Sequence, residues 1–189
     1  ATQILAELGA DVIKIEPHEG DNMRHPGPMV HPGMGYMFLT LNRGKRGLGV
    51  DLKQPEGRAV LLKLVAGADV FVHALRHEAM QRLGLTYADL RAVNPRIITV
   101  SMPLFGNTGP LRATGGFGGV ADAWSGFMAM RGYRDFDLGG SQATFHMDGA
   151  TGPGACFAVL CALREREASG RGQFIDFSQS ENMIQGAGE

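Results

Sequence analysis

The chain lacks an excess of either charge: across its 189 residues, 18 Lys and Arg stand against 19 Asp and Glu. That balance removes the electrostatic reason to expect nucleic acid or an anionic membrane as a partner, and leaves room for a small anion held by a few local cations. Cysteine is scarce. Cys156 and Cys161 share one apolar segment, at a spacing that fits neither a metal site, nor a CxxC redox pair, nor a disulfide framework. Two buried free thiols in a reducing compartment are expected. No apolar run reaches the ~18–20 residues of a membrane span, and no signal-peptide pattern opens the chain. A cytoplasmic location without membrane attachment is therefore expected. The six histidines show no ligand spacing, so no metal is expected.

Nucleotide and hydrolase signatures are missing too. There is no G-x-x-x-x-G-K-[ST] loop and no G-x-S-x-G elbow. Gly116-Phe117-Gly118-Gly119-Val120-Ala121 loosely fits a dinucleotide fingerprint. That fingerprint must follow a strand directly, and here a polar loop precedes it.

Glycine is abundant instead: 28 residues, about twice the usual ~7%. The glycines cluster at 32–49, 106–119 and 139–154 without a period, as in loops around a site. Hydrophobic patterning predicts helices at 1–8, 56–66, 78–83, 87–93, 120–130, 149–169 and 181–184. Strands are predicted at 10–16, 69–75, 96–102 and 174–177, with a short extended piece at 50–52. Residues 17–36 read as a long loop, and 36–41 as a strand or one helical turn. Alternating helices and strands predict one α/β domain over 1–189, a Rossmann-like, mainly parallel sheet with flanking helices. The chain opens directly into a helical pattern and stops just after a new apolar run, which reads as a fragment of a longer protein.

Ligands of such sheets bind beyond the carboxyl ends of the strands. After the strand at 69–75 come Arg76 and Arg82, a pair able to grip a pyrophosphate, though Arg82 could equally be a surface side chain. Asp148 precedes Gly149-Ala150-Thr151-Gly152-Pro153-Gly154 at the predicted start of the long helix. Asp is an ordinary N-cap. Yet an ordinary helix does not open with three glycines, each costing up to ~1 kcal/mol. A carboxylate at a helix N-terminus with open space beside it can also serve as a nucleophile. His146, two residues earlier, reads as part of the preceding loop.

Several segments together resemble the family III CoA-transferases, the group that also contains the alpha-methylacyl-CoA racemases. They are LGADVIKIEPHEGDNMR, LNRGKRGLGVDLKQPEGR, DVFVHALRHEAMQRLGL, NPRIITVSMPLFGNTGP, and the run from Asp148 through ALREREASGRGQFIDFS. The resemblance implies the N-terminal part of a larger fold, lacking its first strand and C-terminal half, whose subunits interlock as a homodimer. It implies acyl-CoA and a free carboxylic acid as substrates. It places the catalytic aspartate on Asp148, which would attack the acyl-CoA thioester. A mixed anhydride would form, and the released thiolate would return to give an aspartyl-CoA thioester that the acceptor carboxylate opens. It also implies that Val50, Leu52 and Lys53 line the adenine pocket, and that Leu75, Arg76 and Arg82 lie along the CoA phosphates. Two positions depart from the family pattern. Ala74 stands where an Asn is usual, and Pro17 where an Arg often contacts CoA.

The racemases pair the aspartate with a histidine in a G-H-D run. Alignment back from Ser125-Gly126 puts Phe117 at that position, and no histidine falls in 103–145. Transfer is therefore the expected chemistry. Racemisation or epimerisation is the alternative, and an inactive CoA-binding relative is a third reading. Acyl and acceptor selectivity is expected in the loops at 17–36 and 103–119, in 130–147, and in the missing half.

Overall fold

The computed structural model describes residues 1–130, 135 and 146–187. Within the single α/β domain expected from the sequence, the chain clusters into two compact units, Ala1–Leu64 and Val65–Glu189.

The first unit opens with helix α1 (Thr2–Glu7), which turns through Gly9 (φ 99°) into strand β1 (Val12–Glu16). β1 pairs in parallel with β4 (Lys45–Gly49), Val12 opposite Lys45 and Glu16 opposite Gly49. The extended piece predicted at 50–52 is thus displaced. The strand is Lys45–Gly49, stabilised by its ladder to β1, and Val50 to Lys53 form the turn that follows it. The long loop predicted at 17–36 also has structure: a 3₁₀ turn at Asn22–Arg24 and an antiparallel hairpin of β2 (Met29–His31) and β3 (Met34–Gly35). Helix α2 (Tyr36–Leu41) follows, which decides between the two readings of that segment.

One buried carboxylate organises this loop. Glu16, at the end of β1, accepts two hydrogen bonds from the Arg24 guanidinium, Nε to Oε2 at 2.8 Å and Nη2 to Oε1 at 3.0 Å. The guanidinium also stacks over Phe38, 3.8 Å from the ring centroid. The bond from Arg24 holds the Glu16 carboxyl below its ordinary pKa. Lys14 and Asp21 form a second ion pair alongside. Helix α3 (Pro55–Ala66) starts this unit's exit, with Pro55 at its first position.

The second unit carries a three-stranded parallel sheet in the order β5 (Val70–His73), β6 (Ile98–Ser101), β7 (Phe174–Asp176). The central β6 is buried along its whole length, as expected for a strand covered on both faces. Helix α4 (His77–Leu83) ends at Gly84, whose φ of 61° gives the left-handed C-cap that a side chain disfavours. Helix α5 (Tyr87–Val93) starts with a Thr86–Asp89 capping box. The helix predicted at 120–130 is broken in two, α6 (Gly118–Trp124) and α7 (Phe127–Met130), because Gly126 turns the chain with φ 77°.

Helix α8 (His146–Ser169) packs against β6, α6 and α9 (Gln179–Ile184). A cluster of Leu104, Ala121, Met147 and Met183 closes this part of the core. Cys156 is buried, whereas Cys161 is exposed, so only one of the two thiols is where the sequence reading put it. Among the described residues, no helix is long and apolar enough to cross a membrane.

Candidate active site

Helix α8 begins three residues earlier than its sequence predicts. Asp148 is therefore not its N-cap but the third residue of its first turn, and His146 belongs to the helix rather than to the loop. The cause is tertiary. Met147 is fully buried in the Leu104–Ala121–Met183 cluster, which fixes the helix start from the side. Its N–H, one of the donors that a helix start leaves without a helical acceptor, donates to Oδ1 of Asp122 at 3.1 Å. A carboxylate on α6 thus does the work that a local N-cap residue does elsewhere.

Asp148 itself is exposed. The protein atoms around its carboxyl remove part of its hydration, and this burial pushes its pKa above the ordinary 3.8, with repulsion from Asp122 as the second cause. The helix N-terminus acts in the opposite sense, favouring the anion. The result is an accessible carboxylate whose charge is imperfectly solvated, a condition that increases its nucleophilicity.

The small residues that follow have two separate jobs. A Cβ built on Gly149 meets nothing within 4 Å, so this position opens on free space beside Asp148. A Cβ on Gly154 would come within 2.8 Å of Asn182 Oδ1 and Phe177 Cζ. Gly154 is there to let α9 and its leading segment approach α8. Pro153 lies inside the helix. Lacking an N–H, it leaves the Gly149 carbonyl without its helical donor.

The residues matched to CoA contacts lie in both units, and each set is described within its own. In the first unit, Val50 is buried (8% exposed) against the start of α3, Leu52 is half-buried, and Lys53 is exposed, its N–H bound to Asp51 Oδ1 at 2.9 Å. In the second, Leu75 and Arg76 follow β5 directly and are exposed. Arg76 Nη1 donates to the Ala113 carbonyl at 2.8 Å, so the glycine loop after β6 folds against the segment after β5. Arg82, in the last turn of α4, is exposed and makes no side-chain hydrogen bond or ion pair among the described residues. The loop after β6 is further pinned by Asp176, whose carboxylate accepts the Asn107 N–H at 3.0 Å and the Asn107 side-chain amide at 2.8 Å.

Sequence reasoning missed two groups. Asp122 is 0% exposed, and its Oδ2 has no hydrogen-bond partner among the described residues. The available signal was a lone acid in the otherwise small and apolar run Gly118–Trp124. His73 ends β5 where the CoA segment begins. Burial pushes its pKa down to about 4, so it is neutral at physiological pH. Segment 131–145, apart from Asp135, lies outside the described residues, and with it most of the selectivity region expected at 130–147. Among the described residues no group of three or more His, Cys, Asp or Glu is placed to hold a metal. Surface clefts at the far end of α8, one lined by Tyr87, Arg91, Glu165 and Arg171, contain none of the expected site residues.

A parallel α/β sheet followed by loops with exposed arginines, and an under-solvated carboxylate on a glycine-lined helix start, describe a protein built to handle an activated acyl group. Comparison with known proteins makes the assignment specific. The family model described as CoA-transferase family III matches residues 1–189, and the chain belongs to that family. It is 39% identical to the succinate–glutarate CoA-transferase of Agrobacterium fabrum, with 94% of this chain and 46% of that protein covered. It is 35% identical to the succinyl-CoA–D-citramalate CoA-transferase of Chloroflexus aurantiacus, covering 96% of this chain and 45% of the relative. Against acetyl-CoA:oxalate CoA-transferase of Acetobacter aceti it is 37% identical, over 97% of this chain and 47% of that one. The crystal structure of a CaiB/BaiF family protein from Brucella suis superposes with a TM-score of 0.90 at 35% identity, covering 97% of this chain and 49% of that structure. The chain thus spans about half the length of the relatives it matches.

Proposed function

We propose that the protein transfers CoA from an acyl-CoA to a free carboxylic acid, with Asp148 as the covalent nucleophile. The observation that carries this reading is the Asp148 carboxyl itself. It is accessible, displaced upward in pKa by partial burial, and next to the open space at Gly149. An Asp148 oxygen attacks the thioester carbonyl carbon, the C–S bond breaks, and its electron pair leaves with the CoA thiolate. The product is an acyl-aspartyl anhydride. Thiolate held in place by the rest of CoA then displaces the acylate and leaves an aspartyl-CoA thioester, which the acceptor carboxylate opens through a second anhydride.

The sites for CoA follow from the same reading. Leu75, Arg76 and Arg82 take the phosphates and adjoining arm, while Val50, Leu52 and Lys53 line the adenine pocket. We place the protein in the cytoplasm as an interlocked homodimer of the longer chain, in keeping with the family to which it belongs. The relatives named above act on succinyl, glutarate, citramalate and oxalate groups, which supports small dicarboxylates as a first acceptor panel.

The direct test is to incubate the whole protein with a panel of acyl-CoAs and weigh the peptide containing Asp148. A CoA or acyl adduct on Asp148 supports the mechanism. CoA binding without an adduct from any donor overturns it, and exchange of the α-proton with solvent would then indicate the racemase reading.

Two smaller effects test the geometry. Arg76→Ala should raise KM for the acyl-CoA about tenfold through loss of a charge-assisted phosphate contact, with thermal stability nearly unchanged at this exposed site. Steady-state kinetics and a melting curve on the same preparation check both halves. Gly149→Ala should leave the melting temperature equal or slightly higher, since the added methyl meets nothing and Ala favours a helix. Turnover should nevertheless drop about tenfold, because the methyl would occupy the space where the acyl group approaches Asp148. An unchanged rate with every donor would show that the acyl group does not use that space.

A further inference from the structure

The buried carboxyl of Asp122 has no role in the steps above, yet it sits against the element that carries the nucleophile. Its two oxygens differ. Oδ1 accepts the Met147 N–H at 3.1 Å, and Oδ2 is buried without a hydrogen-bond partner among the described residues. The backbone around it is well determined by its neighbours. Ser125 Oγ donates to the Asp122 carbonyl at 3.1 Å and closes the end of α6, and Ala121 next to it is buried in the Met147 cluster. A carboxyl kept fully buried with one oxygen unsatisfied is costly. If holding Met147 were its whole purpose, a neutral amide of the same shape would supply the same acceptor without burying a carboxyl.

The charge has a target. Of the groups on the elements packed around the first turn of α8, Asp122 on α6 is the one that acts electrostatically on Asp148. α9 brings Glu181, an exposed residue at its own helix start, and β6 contributes only Ile98, Thr99, Val100 and Ser101. On α8 itself the near neighbour is His146, whose ring lies 4.9 Å from that of Phe127.

We propose that Asp122 is a positioning residue for Asp148, tethering the first turn of α8 through the Met147 N–H while its negative charge favours acylation of the Asp148 carboxylate. The inference rests on Asp148 being the nucleophile. The physical reason is that attack removes the charge from Asp148. The carboxylate becomes a neutral anhydride, and the negative charge departs on the CoA thiolate. Repulsion from Asp122 is present before attack and relieved after it, so it raises the ground state relative to the acylated enzyme. The upward displacement of the Asp148 pKa has the same origin in part, because protonation is another way to neutralise that carboxyl.

The test separates tether from charge. Asp122→Asn keeps an oxygen for the Met147 N–H and removes the charge, whereas Asp122→Val removes both. In the whole protein, the pH dependence of adduct formation on Asp148 is followed by mass spectrometry. In parallel, the Asp148 carboxyl is titrated by carbon-13 NMR without substrate. For Asp122→Asn the expected result is a melting curve like that of the parent, a titration midpoint displaced toward lower pH, and adduct formation slower by about tenfold. Asp122→Val should lose the adduct rate and also melt earlier. An Asp122→Asn protein with the parent's midpoint and adduct rate would overturn the inference and leave Asp122 as a helix anchor only. Absence of any adduct in the parent would count against the nucleophile reading instead. The NMR midpoint would still decide whether Asp122 acts on Asp148.

Discussion

Asp148→Asn should lower the rate of CoA transfer by about 10³-fold or more, equivalent to about 4 kcal/mol of lost transition-state stabilisation. The amide has nearly the shape of the carboxylate but cannot form the anhydride, so the covalent route closes while CoA binding survives. KM for the acyl-CoA should therefore change little, and no adduct should be found on the peptide that carries the substitution. Stability should move the other way. Because the folded-state pKa of Asp148 is raised, its ionised form is disfavoured by the native structure. This group's contribution is most favourable below its unfolded value near 3.8 and is lost as pH rises through the raised folded value. At neutral pH the ionised Asp148 works against the fold, and the neutral amide should melt at an equal or higher temperature. For the same reason the acid limb of kcat/KM in the parent should lie above the ordinary aspartate range, since the reactive form is the anion. A variant that loses activity together with its fold would point to a structural role for Asp148 instead.

Gly172→Ala should be the most damaging single methyl in the second unit. A Cβ there would stand 2.1 Å from the Ile97 carbonyl oxygen and 2.6 Å from the Arg96 carbonyl carbon. Both are backbone atoms at the entry to the buried strand β6, so no side-chain rotation can relieve the clash. Gly172 N–H also donates to the Pro95 carbonyl at 3.2 Å, locking the segment that leads into β7 against the one that leads into β6. Separating the two segments to admit the methyl would strain the β6–β7 ladder, with an expected loss of about 3 kcal/mol. For a chain of this size that is roughly 10 °C in melting temperature. Gly67→Ala is the matched control. Its Cβ meets nothing within 4 Å, and its backbone is not left-handed. It should melt within about a degree or two of the parent. Equal melting of both variants would show that the 95–97 and 170–174 segments are not locked as described.

The Arg164-Glu165-Arg166-Glu167 stretch and the SGRGQ element that contains Gly172 were part of what made the family legible before any coordinates. Local pattern carried that far because it depends on neighbours in sequence. Alternating Val, Ile and polar residues marked β1, β5, β6 and β7 within about one to three residues of their observed ends, and Gly84 and the Thr86–Asp89 box marked where helices stop and start. The 29–35 hairpin was not readable, because its two strands are short and exposed and lack an alternating apolar face. The β4 strand was misplaced because Lys45–Gly49 contains two glycines and two cations, and only its pairing with β1 makes it a strand.

The sequence by itself determined the α/β alternation, the family, the pair of arginines beyond β5, and Asp148 as the residue to watch, since each is written in a contiguous run of residue types. The tertiary structure decided where α8 begins, which glycine faces open space and which faces a packed helix, and that a second carboxyl lies against the first turn of α8. Those outcomes rest on a hydrogen bond between residues 25 apart in the chain, Asp122 and Met147, and on packing of Gly154 against Asn182 and Phe177. Such contacts exist only once the chain has folded, because burial gives them their energy and no local pattern encodes which distant group will be there.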